Sequence, residues 1–111
     1  MAAKVHILIV DDDPKLLKML QRTLVYENLN VLTATNGLEA LPLVQSQQPD
    51  LIIVDWMMPK MDGLEVLRRI RRIDSDVSVV IFTGYPTLES AKAAMKLEAV
   101  DYLQKPFNND E

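Results

Sequence analysis

Several apolar runs of the chain are followed directly by polar side chains, at the points where buried strands would end. The set comprises Asp11, Asp12, Asp55, Thr83 and Lys105. If these runs are parallel strands of one sheet, the carboxyl ends of the strands bring all five side chains to the same edge.

Three carboxylates at one edge would repel one another and raise their own pKa values. A hard divalent cation relieves that repulsion, and Mg²⁺ prefers oxygen ligands such as carboxylates, a backbone carbonyl and water. A carboxylate there could act as a nucleophile and form an acyl phosphate. Charge neutralisation by the cation, by Lys105 and by the hydroxyl of Thr83 would assist such a phosphoryl transfer.

Each of these residues, taken alone, has an ordinary structural interpretation. An Asp after a strand is usually a helix cap or a turn residue, as we expect for Asp13, and a Lys-Pro pair is usually part of a loop. Coincidence becomes improbable when all five residues fall at one edge of one sheet.

The elements that would position these residues alternate along the chain. Val, Ile and Leu are concentrated in predicted strands at residues 5–10, 31–35, 50–54, 77–82 and 100–104. Helical patterns occupy the segments between them, and the order βαβαβαβαβ predicts a parallel sheet with helices on both faces.

Helix-start signals precede the four helical segments. Asp13 followed by Pro14 fits an N-cap and a first helical residue, and Asn36, Asp62 and Thr87 fit the same capping role. Pro42 falls inside the second segment, so that helix is expected to be short or kinked.

Composition excludes several classes of function. The chain has 111 residues, no cysteine and a formal charge of −4, which disfavours nonspecific binding to nucleic acid or anionic lipid. No apolar run approaches the length of a membrane span, and the first residues lack a signal-peptide pattern. We therefore expect a cytoplasmic protein.

Four arginines at positions 68, 69, 71 and 72 are interpreted as the solvated face of an amphipathic helix rather than an anion site.

Four motifs in this order closely resemble the receiver domains of bacterial two-component response regulators. They are ILIVDDDP at 7–14, DWMMP at 55–59 with DG at 62–63, FTG at 82–84 and KPF at 105–107. The resemblance implies an α/β fold: a doubly wound, five-stranded parallel sheet of flavodoxin-like order 2-1-3-4-5. The resemblance covers residues 1–111, which would form a single receiver domain. Residues 83–107 most resemble receivers of enhancer-binding transcription activators.

The resemblance implies a site for Mg²⁺ (or Mn²⁺). Asp12 would bind the metal directly, and Asp11 would bind it through water. Asp55 and the main-chain carbonyl of Met57 would supply the other protein ligands.

It also implies the residues of a phosphorylation-controlled signalling switch. Asp55 would accept the phosphoryl group, with Thr83 and Lys105 contacting it, and Tyr102 would change rotamer together with Thr83. The donor would be a sensor histidine kinase or a phosphotransfer protein. Such a domain is not an enzyme in the ordinary sense, because it catalyses only its own phosphoryl transfer and slow autodephosphorylation. Neither direct nucleic-acid binding nor membrane binding is expected.

Two departures from the family pattern lead to further expectations. The family usually has a glycine before the fifth strand, where this chain has Glu98. We also expect the fifth helix of the family to be missing, with the domain truncated after the fifth strand, so that the uncovered face could support a homodimer.

Two alternatives belong to other functional classes. Asp11-x-Asp13 formally resembles the nucleophile motif of haloacid-dehalogenase-like phosphatases, but that interpretation leaves no room for a cap domain and no role for Asp55 and Lys105. A pseudo-receiver that binds partners without phosphorylation is disfavoured, because Asp12, Asp55, Thr83 and Lys105 are all present.

Overall fold

The computed structural model describes residues 4–25 and 28–105. Within them the chain alternates five strands with four helices, in the order β1 (Val5–Val10), α1 (Pro14–Thr23), β2 (Leu29–Ala34), α2 (Gly37–Gln47), β3 (Leu51–Asp55), α3 (Gly63–Ile73), β4 (Ser78–Thr83), α4 (Leu88–Lys96) and β5 (Asp101–Gln104). The strands form one parallel sheet of order β2-β1-β3-β4-β5, which confirms the predicted fold class. The predicted absence of a fifth helix concerns residues 106–111, which lie outside the described residues.

Helices cover the sheet on both faces. On one face, side chains of α2, α3 and α4 pack with alternate residues of the central strands, including Leu8, Ile52 and Val79, which are completely buried. On the other face, Leu17 of α1 packs with Ile7 and Ile9 of β1. Strands buried on both sides explain the nearly continuous apolar runs of the sequence.

The four predicted N-caps are confirmed. The side chains of Asp13, Asn36, Asp62 and Thr87 each accept a hydrogen bond from a backbone N–H in the first turn of the helix that follows. Helix α2 continues through Pro42 and has eleven residues in all, as many as α3, so the expectation of a short helix is wrong, while the alternative of a kink stays a prediction. No helix within the described ranges is long and apolar enough to cross a membrane.

Arg71 corrects the interpretation of the arginine cluster. Its guanidinium donates hydrogen bonds to the backbone carbonyls of Val77 (2.6 Å), Leu97 (2.9 Å) and Glu98 (2.9 Å). Arg71 therefore ties the end of α4 to the start of β4 and does not lie on a solvated face. Glu98, at the position where a glycine is usual, has a left-handed backbone with φ of 61°.

Candidate functional site

The carboxyl edge of the sheet collects the polar residues that the sequence singled out. Asp55 is the last residue of β3 and Thr83 the last of β4, whereas Asp11 and Lys105 directly follow β1 and β5. Carboxylate oxygens of Asp11, Asp12 and Asp55 lie within 4.8 Å of one another. The sheet thus brings the predicted acidic residues together.

The ammonium group of Lys105 lies between two of these carboxylates. Its Nζ is 3.1 Å from Oδ2 of Asp11 and 3.4 Å from Oδ2 of Asp55. Both aspartates are buried, with 2% and 3% of their surface exposed, respectively. The backbone N–H of Lys105 donates to the carbonyl oxygen of Thr83 (2.7 Å), which fixes the lysine at the end of β4.

Burial and mutual interaction shift the pKa values of Asp11, Asp55 and Lys105. Burial raises the pKa of Asp55 to about 6, and the charge of Asp11 adds to that effect while Lys105 opposes it. Burial also raises the pKa of Asp11, against hydrogen bonds from the backbone of Asp13 and from Lys105. Burial alone would lower the pKa of Lys105, but the two carboxylates outweigh it and the pKa lies above its usual value. With a pKa of about 6, Asp55 is mostly ionised at neutral pH and lies beside a protonated lysine.

The third carboxylate differs in environment. Asp12 is exposed at the mouth of the cluster, where a hydrated cation could reach it from solvent. Three acidic side chains with oxygens this close fit a hard divalent cation, which favours oxygen ligands and retains water. The N–H of Met57 donates to Oδ1 of Asp55 at 3.4 Å, which orients that carboxylate.

The side chain of Asp13 points to a different role. It caps α1 by accepting from the N–H of Lys15 (3.0 Å), and its own N–H donates to Oδ1 of Asp11 (2.9 Å). Asp13 is absent from the acidic cluster of Asp11, Asp12 and Asp55. This geometry gives no support to a nucleophile pair formed by Asp11 and Asp13.

The two residues expected to switch together are not in contact through a hydrogen bond within the described part of the chain. The hydroxyl oxygen of Thr83, completely buried, accepts from the N–H of Tyr85 at 3.1 Å. The hydroxyl of Tyr102 instead bonds to the hydroxyl of Ser90 and accepts from the N–H of Thr87 (3.3 Å). Sequence reasoning missed Ser90, although its spacing from Thr87 matches a capping box.

An open concavity of about 510 Å³ lies among residues that follow β3 and β4. Its lining includes Trp56 and Met57, which directly follow Asp55, together with Tyr85 and Ser90. Met57 and Tyr85 are largely exposed, with 57% and 77% of their surface accessible. Asp55 itself is not among the lining residues, so the concavity lies beside the segment that follows the candidate phosphoacceptor.

Comparison with known proteins identifies the family. Residues 7–111 match the family model described as "Response regulator receiver domain". Among curated proteins, the chain is 38% identical over 107 residues to the response regulator MprA of Mycobacterium tuberculosis and 39% identical to that of Mycolicibacterium vanbaalenii. Each alignment covers 96% of this chain, which spans only 46% of the relative's length.

Solved structures give the same result. The chain superimposes on the chemotaxis protein CheY4 of Vibrio cholerae with a TM-score of 0.87 and 31% identity, covering 96% of this chain and 90% of that one. A response regulator receiver domain from Clostridium thermocellum gives a TM-score of 0.85 and 35% identity, covering 94% and 84%. Because the family model matches residues 7–111, nearly the whole chain, this chain belongs to the receiver domains of two-component response regulators.

Proposed function

We propose that this domain is a phosphorylation-controlled signalling switch in which Asp55 accepts a phosphoryl group from a histidine kinase or phosphotransfer protein. The observation that carries the proposal is the buried carboxylate of Asp55, 3.4 Å from the ammonium of Lys105, at an acidic edge of the sheet where Asp12 is exposed to solvent. Membership of the receiver family supports the same chemistry.

Asp55, Lys105 and Thr83 would each have a separate role in the phosphoryl transfer. A carboxylate oxygen of Asp55 attacks phosphorus, the bond from phosphorus to the donor's imidazole nitrogen breaks, and the released imidazole takes up a proton. Lys105 then pairs with a phosphoryl oxygen, for which it must loosen its contact with Asp55. The hydroxyl of Thr83 donates to another phosphoryl oxygen while still accepting from Tyr85. This division stabilises negative charge where the transfer develops it.

Asp11, Asp12 and Asp55, with the main-chain carbonyl of Met57, would hold Mg²⁺ or Mn²⁺. When bound, the cation supplies positive charge that offsets the repulsion between the phosphoryl oxygens and the acidic cluster. The domain would act only on itself, by taking up and slowly losing its own phosphoryl group. A homodimer stays a prediction, since the segment that bears on it follows Lys105.

Intact-mass measurement after incubation with acetyl phosphate and Mg²⁺ tests the proposal. The wild type should gain one phosphoryl group, and Asp55→Asn should gain none. Asp50→Asn is the matched control, because the side chain of Asp50 is exposed and accepts from the N–H of His6, near the start of β1. Catalytic hydrolysis of the donor that persists in Asp55→Asn would instead support a hydrolase that uses Asp11.

A further inference from the structure

Tyr102 links the site to the first turn of α4. From β5 its hydroxyl reaches across to the hydroxyl of Ser90, and the N–H of Thr87 donates to the same phenol oxygen at 3.3 Å. We name these three residues, Thr87, Ser90 and Tyr102, the latch. Ser90 is only 8% exposed, and its hydroxyl also contacts the carbonyl oxygen of Thr87 (3.1 Å).

The same ring packs against Trp56. The rings of Trp56 and Tyr102 meet edge to face, with centroids 6.4 Å apart and planes at 71°. Trp56 directly follows Asp55, and its N–H donates to the carbonyl of Phe82, next to Thr83. A continuous series of contacts therefore joins the backbone beside Asp55 to the start of α4, and it passes through Tyr102.

The hydroxyl of Ser90 also belongs to the cap of α4. It contacts the hydroxyl of Thr87 (2.9 Å) and accepts from the N–H of Thr87 (3.3 Å), while the hydroxyl oxygen of Thr87 accepts from the N–H of Ser90 (3.0 Å). Ser90→Ala would remove both the side-chain contacts with Thr87 at the helix cap and the hydrogen bond to the phenol of Tyr102. The same hydroxyl thus serves helix capping and the placement of Tyr102.

We propose that Ser90 is a positioning residue that holds the ring of Tyr102 against Trp56 and so couples the surroundings of Asp55 to helix α4. Tyr102 is then oriented by Thr87 and Ser90 at the start of α4. A shift of the loop between Thr83 and α4 would move Thr87 and Ser90, and with them the ring that packs on Trp56.

Acrylamide quenching of Trp56 fluorescence measures the latch without phosphorylation, since Trp56 is the only tryptophan. Loss of one ordinary hydrogen bond should shift the ratio of packed to released Tyr102 rings by roughly fivefold. Ser90→Ala should therefore make Trp56 more accessible to acrylamide. Tyr102→Phe keeps the ring but removes its hydroxyl, and should do the same. The double variant should add little to either change.

A control separates placement of the ring from loss of the cap. Asn36→Ala removes the N-cap of α2, which lies outside the latch, so it should lower stability and leave quenching unchanged. If Ser90 only caps α4, Ser90→Ala should lower stability and leave quenching unchanged, as expected for Asn36→Ala. The stability that Ser90→Ala loses should then be the same whether residue 102 is Tyr or Phe. That result would overturn the proposal. Tyr102→Phe still tests it if Ser90→Ala does not fold.

The coupling to Asp55 rests on the proposed function and needs a second readout. Acetyl phosphate with Mg²⁺ should change Trp56 emission in the wild type, and Ser90→Ala should reduce that change at equal phosphoryl uptake by intact mass. An unreduced change at equal uptake would overturn the coupling. Absence of uptake in the wild type would instead refute the function of Asp55, and the quenching result would be unaffected.

Discussion

A Cβ atom on Gly63 would lie 2.6 Å from the carbonyl oxygen of Asp55. The first residue of α3 is therefore packed against the backbone that carries the candidate phosphoacceptor. The same hypothetical atom would lie 2.6 Å from Cα of Trp56, and the N–H of Gly63 donates to the carbonyl of Trp56 at 2.8 Å. Because the obstructing atoms belong to the main chain, a side chain at Gly63 cannot be accommodated by a rotamer change.

Gly63→Ala should consequently displace the segment that follows Asp55. We expect a loss of about 1–3 kcal/mol in the free energy of unfolding, as for other overpacked sites, together with slower phosphoryl uptake. Gly84→Ala is the control: a Cβ there would meet nothing closer than Cδ of Lys105 at 3.9 Å, and its backbone φ is not positive. Urea denaturation of both variants provides the measurement, and equal losses would contradict the close-approach argument.

The raised pKa of Asp55 predicts a pH dependence of stability. In the unfolded chain the pKa is near 3.8 and in the folded protein it is about 6, so the folded state binds the proton more tightly. The stabilisation is complete below about pH 4 and is lost as pH rises through about 6, with a total of about 3 kcal/mol. The raised pKa of Asp11 acts in the same direction.

Asp55→Asn removes this titration. The stability of Asp55→Asn relative to wild type should therefore rise between about pH 4 and pH 7, in solutions with a chelator so that no divalent cation competes for the carboxylates. Comparing the two proteins at each pH cancels the titration of groups that are not coupled to Asp55. A difference that does not vary with pH would show that burial does not hold a proton on Asp55.

Metal binding should appear as added stability. A cation that binds only the folded state at ten times its Kd raises the free energy of unfolding by about 1.4 kcal/mol. Mg²⁺ should therefore raise the Tm of the wild type and change the fluorescence of Trp56. Asp12→Asn should weaken both effects with little change in metal-free stability, because its side chain is exposed.

The matched control for the metal experiment is Asp62→Asn. Asp62 carries the same charge near the site but lies outside the acidic cluster, and Asn can replace it as the cap of α3. Its Mg²⁺ response should equal that of the wild type. If both variants lose the response equally, diffuse negative charge attracts the ion and the three carboxylates are not its site.

Arg71 and Arg72 are neighbours with different expected contributions to stability. Arg71→Ala removes the hydrogen bonds to the carbonyls of Val77, Leu97 and Glu98, and should cost about 2–4 kcal/mol by leaving them unpaired. Arg72 is exposed, so Arg72→Ala should change stability by less than about 0.5 kcal/mol. Thermal or urea unfolding of the pair is the measurement. Equal costs would mean that the three carbonyls find other partners.

Strand ends and helix caps of this domain can be predicted from the sequence, because each depends on a short stretch of the chain. Asp55 and Thr83 end apolar runs, and the parallel order of the strands is enough to bring them to one edge. Ser90 and Arg71 could not be found in this way, because each contacts residues whose distance in the chain is closed only by packing. Ser90 meets Tyr102 twelve residues away, and Arg71 meets Leu97 twenty-six residues away. Such contacts follow from how α4 lies on the sheet.

The last prediction concerns the lifetime of the phosphorylated protein, and it rests on the proposed function. In the receiver family, the side chains two residues after the phosphoacceptor and two after the conserved Thr influence attack by water; here they are Met57 and Tyr85. Both line the concavity beside Asp55. Neither offers a carboxylate or amide that could orient a water, and both are bulky enough to shield the acyl phosphate.

We therefore expect Met57→Asn combined with Tyr85→Glu to shorten the lifetime several-fold. The protein would be phosphorylated with acetyl phosphate and Mg²⁺, freed of donor, and followed by intact mass over time. Met19→Asn combined with Val25→Glu introduces the same two polar residues at exposed apolar positions in α1 and just after it, and should leave the decay rate unchanged. If the two double variants decay at the rate of the wild type, shielding by Met57 and Tyr85 does not control access of water to Asp55.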